Sequence, residues 1–399
     1  MGKKKIIPII IVIAIIVVGV GYFAFGSSNN SKTLTVWSYL TKPEVEALQP
    51  IADKWGEEHH MKVELVYSQP NFQEGMQAMK SPSGPDAIFG IPNDNIGTFV
   101  KAGLLSEQPK DLIPSDKFHS EALLKAGNVD GVQYGTPIAE GTVALFYNKK
   151  LVKEVPTTME QLVKEAKKVG FEYPITNFYY SYGFIGANGG YVFKDNDGKL
   201  DPNDIGLANA GAIKGYEFLN SLVKDGLINS SITANIAKAD FEAGKVGFYI
   251  SGPWDVPSFK SNKDLDFGVA KLPTLDGKSI PTFSTVQLAV VNKNSKKAED
   301  AWSLIKYLDE NGQSVLLSVG NRIPVLKSAD TTEAAKNDPY LKAFEAQAKV
   351  AQYMPNIPEI QAMWEPAGNN LQLLIEGKLT PKEAADNTVK QMEAGIKQQ

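Results

Sequence analysis

Residues 33–67 alternate between strand and helix patterns, and this alternation constrains the fold more than any other feature of the sequence. The segments at 33–37 and 62–67 are short runs rich in β-branched and apolar residues, which predicts two strands. Residues 43–55 between them have the apolar spacing of a helix. The apolar residues on one face of this helix are Val45, Leu48, Ala52 and Trp55. Two strands joined through a helix run parallel, so the sequence predicts a parallel sheet covered by helices.

The same kinds of element continue along the chain. A short strand at 85–89 precedes a helix at 95–102, which ends before Gly103, a residue type common just beyond a helix C-terminus. Further predicted elements are helices at 210–224, 298–308 and 340–352, a helix after the two threonines at 157 and 158, and a strand at 245–251. A chain of 399 residues is too long for one ordinary core, which favours two domains of roughly 150–200 residues each.

The N-terminal segment has the pattern of an export or anchoring signal. Three consecutive lysines precede an uncharged, largely apolar run at 6–25, which predicts a hydrophobic helix with everything after it outside the cytoplasm. The run is as long as a membrane span, yet small residues near its end offer a cleavage site. Residues 1–26 are therefore predicted as a signal peptide or a signal anchor, and both alternatives stay open. Residues 27–32 are predicted as a polar tether.

Charge and cysteine content exclude several classes of function and of attachment. The net charge is −4, and leaving out the three N-terminal lysines lowers it to −7, which argues against nucleic acid as a partner. The chain has no cysteine, which excludes disulfides, thiolate metal sites and the lipid-modified cysteine of a lipoprotein. Its three histidines, His59, His60 and His119, lack the spacing of a zinc site, so no metal or other cofactor is predicted.

Eight short motifs along the chain carry a family resemblance. They are Trp37 in TLTVW, GPDAIF at 84–89, YN at 147–148, ANGGYVF at 187–193, NAGA at 209–212, GPW at 252–254, LPT at 272–274 and MPNIP at 354–358. In this order and spacing they resemble the motifs of bacterial maltose- and maltodextrin-binding proteins. Each motif is weak alone, but eight in register are specific, and the match runs from about residue 33 to the C-terminus.

This resemblance implies an α/β protein with the two-lobed fold of periplasmic binding proteins (class II), each lobe a sheet flanked by helices. One lobe is expected to comprise residues 33–140 plus 285–335 and the other 141–284 plus 336–399, with the ligand cleft between them. The implied protein is a monomer, not an enzyme, that captures maltose or maltodextrin outside the cytoplasm for an ATP-binding cassette (ABC) importer and closes on the sugar by a hinge motion. A binding protein for a different oligosaccharide and a carbohydrate-active enzyme are the alternatives.

Three aromatic residues are candidates for stacking on the apolar C–H face of a sugar ring. Trp254 follows a Gly-Pro turn signal at the end of a strand, and by position alone a core ring is the simpler interpretation. Trp364 precedes Pro366 and Gly368, which predicts an irregular segment rather than a helix around it. Tyr179 belongs to a run of aromatic residues, most of which are expected in the core. The resemblance implies that all three rings stack on the ligand.

Three polar residues complete the predicted site. Asp94 follows a strand and precedes a helix, where it would accept hydrogen bonds from sugar hydroxyls or serve as a helix N-cap. Lys42 would donate to sugar oxygens or be a solvated lysine. The acidic residue that the family carries at the first lobe crossing falls on Gly141 by strict register, so the adjacent Glu140 is taken in its place. A glycosidase pair of Asp94 with Glu140 or Glu365 has no hydrolase motif to support it.

Overall fold

The computed structural model describes residues 33–68 and 70–399 of the chain. The signal segment predicted at 1–26 and the tether predicted at 27–32 lie outside the described residues. Within the part of the chain that is described, no helix has both the length and the apolar character needed to cross a membrane. The described residues form an α/β structure with one six-stranded sheet, one four-stranded sheet and two short hairpins.

Strands and helices alternate over most of the chain. The strands are β1 (Thr33–Ser38), β2 (Lys62–Tyr67), β3 (Ala87–Pro92), β4 (Asn128–Val129), β5 (Val132–Gln133), β6 (Gly135–Thr142), β7 (Ala144–Asn148), β8 (Phe171–Glu172), β9 (Lys194–Asn196), β10 (Lys199–Asp201), β11 (Phe248–Ser251), β12 (Phe267–Ala270), β13 (Phe283–Val291) and β14 (Gln352–Tyr353). The helices are α1 (Lys42–His59), α2 (Phe72–Lys80), α3 (Ile96–Lys101), α4 (Glu121–Lys125), α5 (Met159–Val169), α6 (Phe178–Gly186), α7 (Ala210–Lys224), α8 (Ala234–Glu242), α9 (Val256–Ser261), α10 (Ala298–Gly320), α11 (Glu333–Asn337), α12 (Leu341–Ala348), α13 (Gln361–Ile375) and α14 (Pro381–Ile396).

The six-stranded sheet begins with the predicted strand–helix–strand unit. β1 runs parallel to both β2 and β3, which confirms the parallel arrangement predicted from the sequence. β13 comes from much later in the chain and lies between β3 and β6, antiparallel to both. Its first residues also pair with β14. Every residue of β6 is buried, and so is every residue of β13 except Gln287, as expected for strands covered on both faces.

The four-stranded sheet has the order β12-β7-β11-β8. β7 runs antiparallel to both β11 and β12, and β8 runs parallel to β11. Each of the two larger sheets has its own hydrophobic core. One core draws on residues 34–139 and 286–326, and the other mainly on 143–283 and 341–392. The chain therefore has two lobes, called here the first lobe (six-stranded sheet) and the second lobe (four-stranded sheet).

The first helix, α1, begins where the sequence places a capping box. Thr41 is its N-cap, and both the backbone N–H and the hydroxyl of Thr41 donate to Glu44 Oε2, at 2.8 and 2.6 Å. The predicted apolar face is buried in the core of the first lobe. Its residues are Val45, Leu48, Ala52 and Trp55, at most 4% exposed. The face that helical spacing predicts is thus the face that packs.

The prediction that the chain around Trp364 is irregular is wrong, because Trp364, Pro366 and Gly368 all lie within α13. Pro366 lacks the N–H that would bond to the carbonyl one turn earlier. Burial of the apolar face of the helix offsets this loss, since Met363 and Ala367 are fully buried in the core of the second lobe. Tertiary packing thus overrides two residue types that disfavour an isolated helix.

Candidate functional site

A cavity of about 260 Å³ opens beside β13, at the carboxyl end of β3. Both lobes contribute to it: Asp94 follows β3 of the first lobe, whereas Tyr179, Trp254 and Trp364 pack against the core of the second. The remaining lining residues are Pro92, Asn95, Gly141, Thr285, Gln287, Arg322 and Met354. The structure therefore brings four of the six predicted site residues to one cavity.

A larger cavity, of about 460 Å³, lies between α5 and α7 in the second lobe. Its lining combines Met159, Val163, Phe218 and Leu222 with lysine and acidic side chains. A sugar needs aromatic faces for its C–H surface together with converging polar groups for its hydroxyls. The smaller cavity has three aromatic rings beside buried polar groups, so we place the candidate site there.

Trp254 lies in a turn whose neighbours set the orientation of its ring. This turn, Pro253–Asp255, follows directly after β11, as the sequence predicts. Gly252 is required there, because a Cβ at that position would lie 2.2 Å from the indole ring. The buried carboxylate of Asp255 accepts a hydrogen bond from Tyr249 Oη at 2.9 Å, which secures the end of the turn. The ring itself is half-buried and lines the cavity.

Tyr179 stands beside Trp254, with ring centroids 6.2 Å apart and ring planes inclined by 54°. It lies in the first turn of α6, where its backbone N–H donates to Asn177 Oδ1 at 3.1 Å. Its hydroxyl lies 3.0 Å from Thr285 Oγ1. The neighbouring aromatic residues Phe178, Tyr182 and Phe184 are buried, which confirms that most of this aromatic run is core. Tyr179 and Trp254 together form an angled apolar wall.

Asp94 and Trp364 connect the two lobes at the cavity. The side chain of Trp364 interacts with the Asp94 carboxylate and lowers the pKa of Asp94. Asn95 Nδ2 donates to Asp94 Oδ1 at 3.0 Å, and Gln361 Nε2 donates to the Asp94 carbonyl at 2.8 Å. Burial raises the pKa of Asp94 to about 6, although hydrogen bonds from its own backbone, Trp364 and Asn95 oppose this shift. The N-cap of α3 is Asn95, so Asp94 does not fill that alternative role.

Lys42 and Glu140 do not belong to the cavity lining in the described structure. Lys42 is the first residue of α1, and its side chain is 68% exposed. Glu140 is buried, and its carboxylate accepts a hydrogen bond from Ser284 Oγ at 2.5 Å. Burial raises the pKa of Glu140 despite this hydrogen bond. A ligand-binding role for Lys42 or Glu140 stays a prediction.

Arg322 lines the cavity and was not predicted from the sequence. Its guanidinium donates through Nε to Glu44 Oε1 at 2.9 Å and through Nη2 to Glu44 Oε2 at 3.1 Å. Burial by itself would raise the pKa of Glu44, but Arg322 and Thr41 outweigh burial and hold that pKa below its ordinary value. A signal for this residue exists in the sequence, because Arg322 is the only arginine among 41 lysine and arginine residues.

Comparisons with known proteins agree with this architecture. Residues 50–343 match the family described as bacterial extracellular solute-binding protein. The chain is 33% identical over 390 residues to a galactooligosaccharide-binding protein of Bacillus subtilis, covering 93% of this chain and 91% of that protein. It is 32% identical over 394 residues to a maltooligosaccharide ABC transporter solute-binding lipoprotein of Streptococcus pneumoniae, covering 94% and 91%.

Two solved structures share the fold. The maltose-maltodextrin binding protein of the thermoacidophilic bacterium Alicyclobacillus acidocaldarius matches with a TM-score of 0.86 and 39% identity, over 90% of this chain and 100% of that one. A cyclo/maltodextrin-binding protein complexed with maltotetraose matches with a TM-score of 0.81 and 30% identity, over 93% and 99%. Both confirm the two-lobed α/β fold and the resemblance carried by the sequence motifs. The chain belongs to the family of bacterial extracellular solute-binding proteins.

Proposed function

We propose that this protein binds a short oligosaccharide in the cavity between its lobes and delivers it to an ABC importer. The observation that carries the proposal is the convergence of Tyr179, Trp254, Trp364 and Asp94 on one cavity. Aromatic faces pack against the C–H surface of a sugar ring, and a carboxylate accepts two hydroxyl hydrogen bonds at once. Relatives named for oligosaccharide binding and for ABC transport support the same assignment.

The two candidate ligand classes are malto-oligosaccharides and galacto-oligosaccharides. We favour malto-oligosaccharides, because both solved structures described above are named for maltodextrin and one of them contains maltotetraose. Galacto-oligosaccharides are the second candidate, because a relative at 33% identity is named for them. Both classes stack on aromatic rings, so the discrimination between them must come from polar groups such as Asp94 that bind hydroxyls.

The proposed lobes are residues 33–140 plus 285–335 and residues 141–284 plus 336–399. The two hydrophobic cores support these limits, because each core draws almost entirely on one of the two sets. A ligand that contacts both lobes binds the closed state more tightly than the open one. Sugar binding should therefore close the lobes by a hinge motion of the segments that cross between them.

The ligand is proposed to be released unchanged, outside the cytoplasm. A glycosidase needs two carboxyl groups about 5–10 Å apart on either side of the scissile bond. The carboxylate of Glu140 is instead buried and accepts a hydrogen bond from Ser284, so it is not free to serve Asp94 as such a partner. The monomeric protein would be held at the membrane by residues 1–26 as a signal anchor, or released after their cleavage.

Titration of maltotriose, maltotetraose and β-linked galactobiose, followed by calorimetry and tryptophan fluorescence, tests the proposal. We expect micromolar or tighter binding of the malto-oligosaccharides with a change in fluorescence, because two tryptophans line the cavity. A preference for galactobiose would change the ligand class and keep the function. A folded protein that binds none of the three sugars would contradict the proposal.

Chromatography of maltotetraose after prolonged incubation with the protein tests the absence of catalysis. The sugar should be recovered intact, and shorter products that increase with time would contradict a purely binding role. A D94N variant is the matched control, because products that persist in this variant would point to a contaminating hydrolase.

A further inference from the structure

We propose that Arg322 determines ligand specificity by donating hydrogen bonds to an oxygen of a neutral sugar while Glu44 neutralises its charge. The inference rests on the proposed function, because it assigns a role within the same cavity. Arg322 is the one arginine among the 41 lysines and arginines of the sequence, and the other 40 are lysines. Arginine at this cavity position therefore indicates a need for guanidinium geometry.

One edge of the guanidinium is held by a built anchor. Nε and Nη2 of Arg322 donate to the two oxygens of Glu44 at 2.9 and 3.1 Å. Glu44 is fully buried and is itself held by Thr41 at the start of α1. Gly320, at the end of α10, makes room for it, since a Cβ there would lie 1.9 Å from Glu44 Oε1. Rotation of the guanidinium away from Glu44 would leave a buried carboxylate without its counter-charge, so the anchored geometry persists.

The other edge of the guanidinium is available to a ligand. A guanidinium bound side-on through Nε and Nη2 points Nη1 away from its partner. Among the described residues, the side-chain hydrogen bonds of Arg322 go to Glu44 alone. Arg322 is 6% exposed and lines the cavity, so these donors face the cavity rather than bulk solvent. A donor that faces a cavity and has no protein partner is free to donate to a ligand oxygen.

The charges around the cavity indicate a neutral ligand. Glu44 offsets the charge of Arg322, so the pair offers N–H donors with little net charge. Such donors suit the hydroxyl and ring oxygens of a neutral sugar, whereas an unpaired arginine would favour a carboxylate. Asp94, in the same cavity, only accepts hydrogen bonds when ionised and repels an acidic sugar. Arg322 and Asp94 thus offer donors and acceptors to different hydroxyls of the same ligand.

The test compares the wild-type protein with R322K in calorimetric titrations of maltotriose, or of galactobiose where the wild type prefers it. Lysine keeps a positive charge for Glu44 but lacks the second edge of donors, so the affinity should fall at least about tenfold. Deoxy analogues of the sugar separate contact from structural support. The analogue that lacks the recognised hydroxyl should bind the wild type more weakly than the intact sugar does. It should bind R322K no more weakly than the intact sugar binds R322K. Wild-type affinity in folded R322K, or equal losses for every analogue in both proteins, would overturn the assignment.

Two further variants keep the test decisive. E44Q/R322Q removes both charges together, so neither ion is left buried alone, and it should fold and bind at least about tenfold more weakly. K297M breaks the ion pair of Lys297 with Asp86, 2.8 Å long, at the other end of α10 and should bind like the wild type. Unchanged affinity in E44Q/R322Q, or an equal loss in K297M, would overturn the role of Arg322. A wild-type protein that binds no sugar would contradict the proposed function itself, which is a different result.

Discussion

Among single residues, the cavity combines half-buried rings with almost fully buried polar groups. Trp254 and Trp364 are half-buried, in contrast to the core residue Trp55, which is 1% exposed. Asp94 and Arg322 are 8% and 6% exposed. A ring face without a neighbour costs little, whereas a buried polar group costs free energy unless it is paired. We therefore propose that the rings supply contact area to a sugar and that the polar groups supply selectivity.

Alanine at Trp254 or at Trp364 should weaken sugar binding at least about tenfold, because each substitution removes a stacking face from the cavity. Calorimetric titration measures this loss, and thermal unfolding checks that the variants fold. W302F is the matched control, since Trp302 is 3% exposed within the core of the first lobe. It should lower stability and leave the affinity unchanged. A full loss of affinity in W302F, or none in W254A and W364A, would contradict the stacking role.

Sugar affinity should fall as the pH decreases through about 6, the value to which burial raises the pKa of Asp94. Hydroxyls donate to the ionised carboxylate, so the complex binds fewer protons than the free protein. A pKa of about 6 predicts roughly tenfold weaker binding at pH 5 than at pH 8. The pKa of Asp94 in the folded protein lies above its ordinary value of 3.8, so the folded state binds this proton more readily than the unfolded chain. The free energy of unfolding should therefore rise as the pH falls through 6. Titrations across this range should give a flat profile for D94N, and a flat wild-type profile would contradict the prediction.

Among the helices, α10 is longer than the sequence predicts, and close packing at a glycine explains the difference. The helix predicted at 298–308 continues as α10 to Gly320. It passes through Gly312, where a Cβ would lie 2.8 Å from Leu48 Cδ2 of α1. Glycine disfavours an isolated helix, but here it lets α10 approach α1 closely enough to share the core of the first lobe. The helix length is therefore set by packing.

Alanine substitutions at two helical glycines should have opposite effects on the stability of the protein. At Gly368 in α13, the nearest atom to a Cβ is the Thr176 carbonyl oxygen at 3.6 Å, an ordinary contact. G368A should therefore raise the free energy of unfolding by about 0.5–1 kcal/mol through helix propensity. At Gly215 in α7, a Cβ would lie 2.4 Å from Ile185 Cα. G215A should therefore lower the free energy of unfolding by about 1–3 kcal/mol. Urea unfolding measures both, and shifts of the same sign would contradict this account of packing.

Across the whole molecule, buried hydrogen bonds join the chain near the two lobe boundaries that we propose at 140–141 and 284–285. Thr142 Oγ1 lies 2.7 Å from Thr282 Oγ1 and donates to the Phe283 carbonyl, also at 2.7 Å. Gln347 Nε2 donates to Thr282 Oγ1 at 3.0 Å. These groups satisfy one another, so the crossing needs no polar partner from the ligand. In the proposed closure, ligand contacts would act instead on the angle between the lobes.

Saturating sugar should raise the thermal midpoint and reduce the radius of gyration, because the ligand binds only the folded state and favours closure. At a free concentration of 100 times Kd, the added stability is about 2.7 kcal/mol. Small-angle scattering and thermal unfolding, with and without sugar, measure the two effects. W254A at the same sugar concentration is the control and should show a smaller shift. A higher midpoint with an unchanged radius of gyration would contradict hinge closure.

Several elements could be predicted from the sequence because their signals are local. The strand predicted at 62–67 matches β2, and the helix predicted at 210–224 matches α7. Asp94 and Trp254 lie just beyond strands, as their turn signals indicate. The helix around Trp364 was missed because its stability comes from packing in the second lobe. Thr285 and Gln287 were missed because a strand residue facing a cavity has the same local pattern as one facing the core.

The sequence by itself determined most of the local elements, the family and the aromatic residues of the candidate site, since periodicity, caps and stacking residues are properties of neighbouring positions. Only the tertiary structure decided which polar groups meet. Glu44 and Arg322 are 278 positions apart, and no local pattern pairs them. Burial likewise depends on how the lobes assemble. It raises the pKa of Asp94 and encloses Glu140, whereas Lys42 stays exposed to solvent.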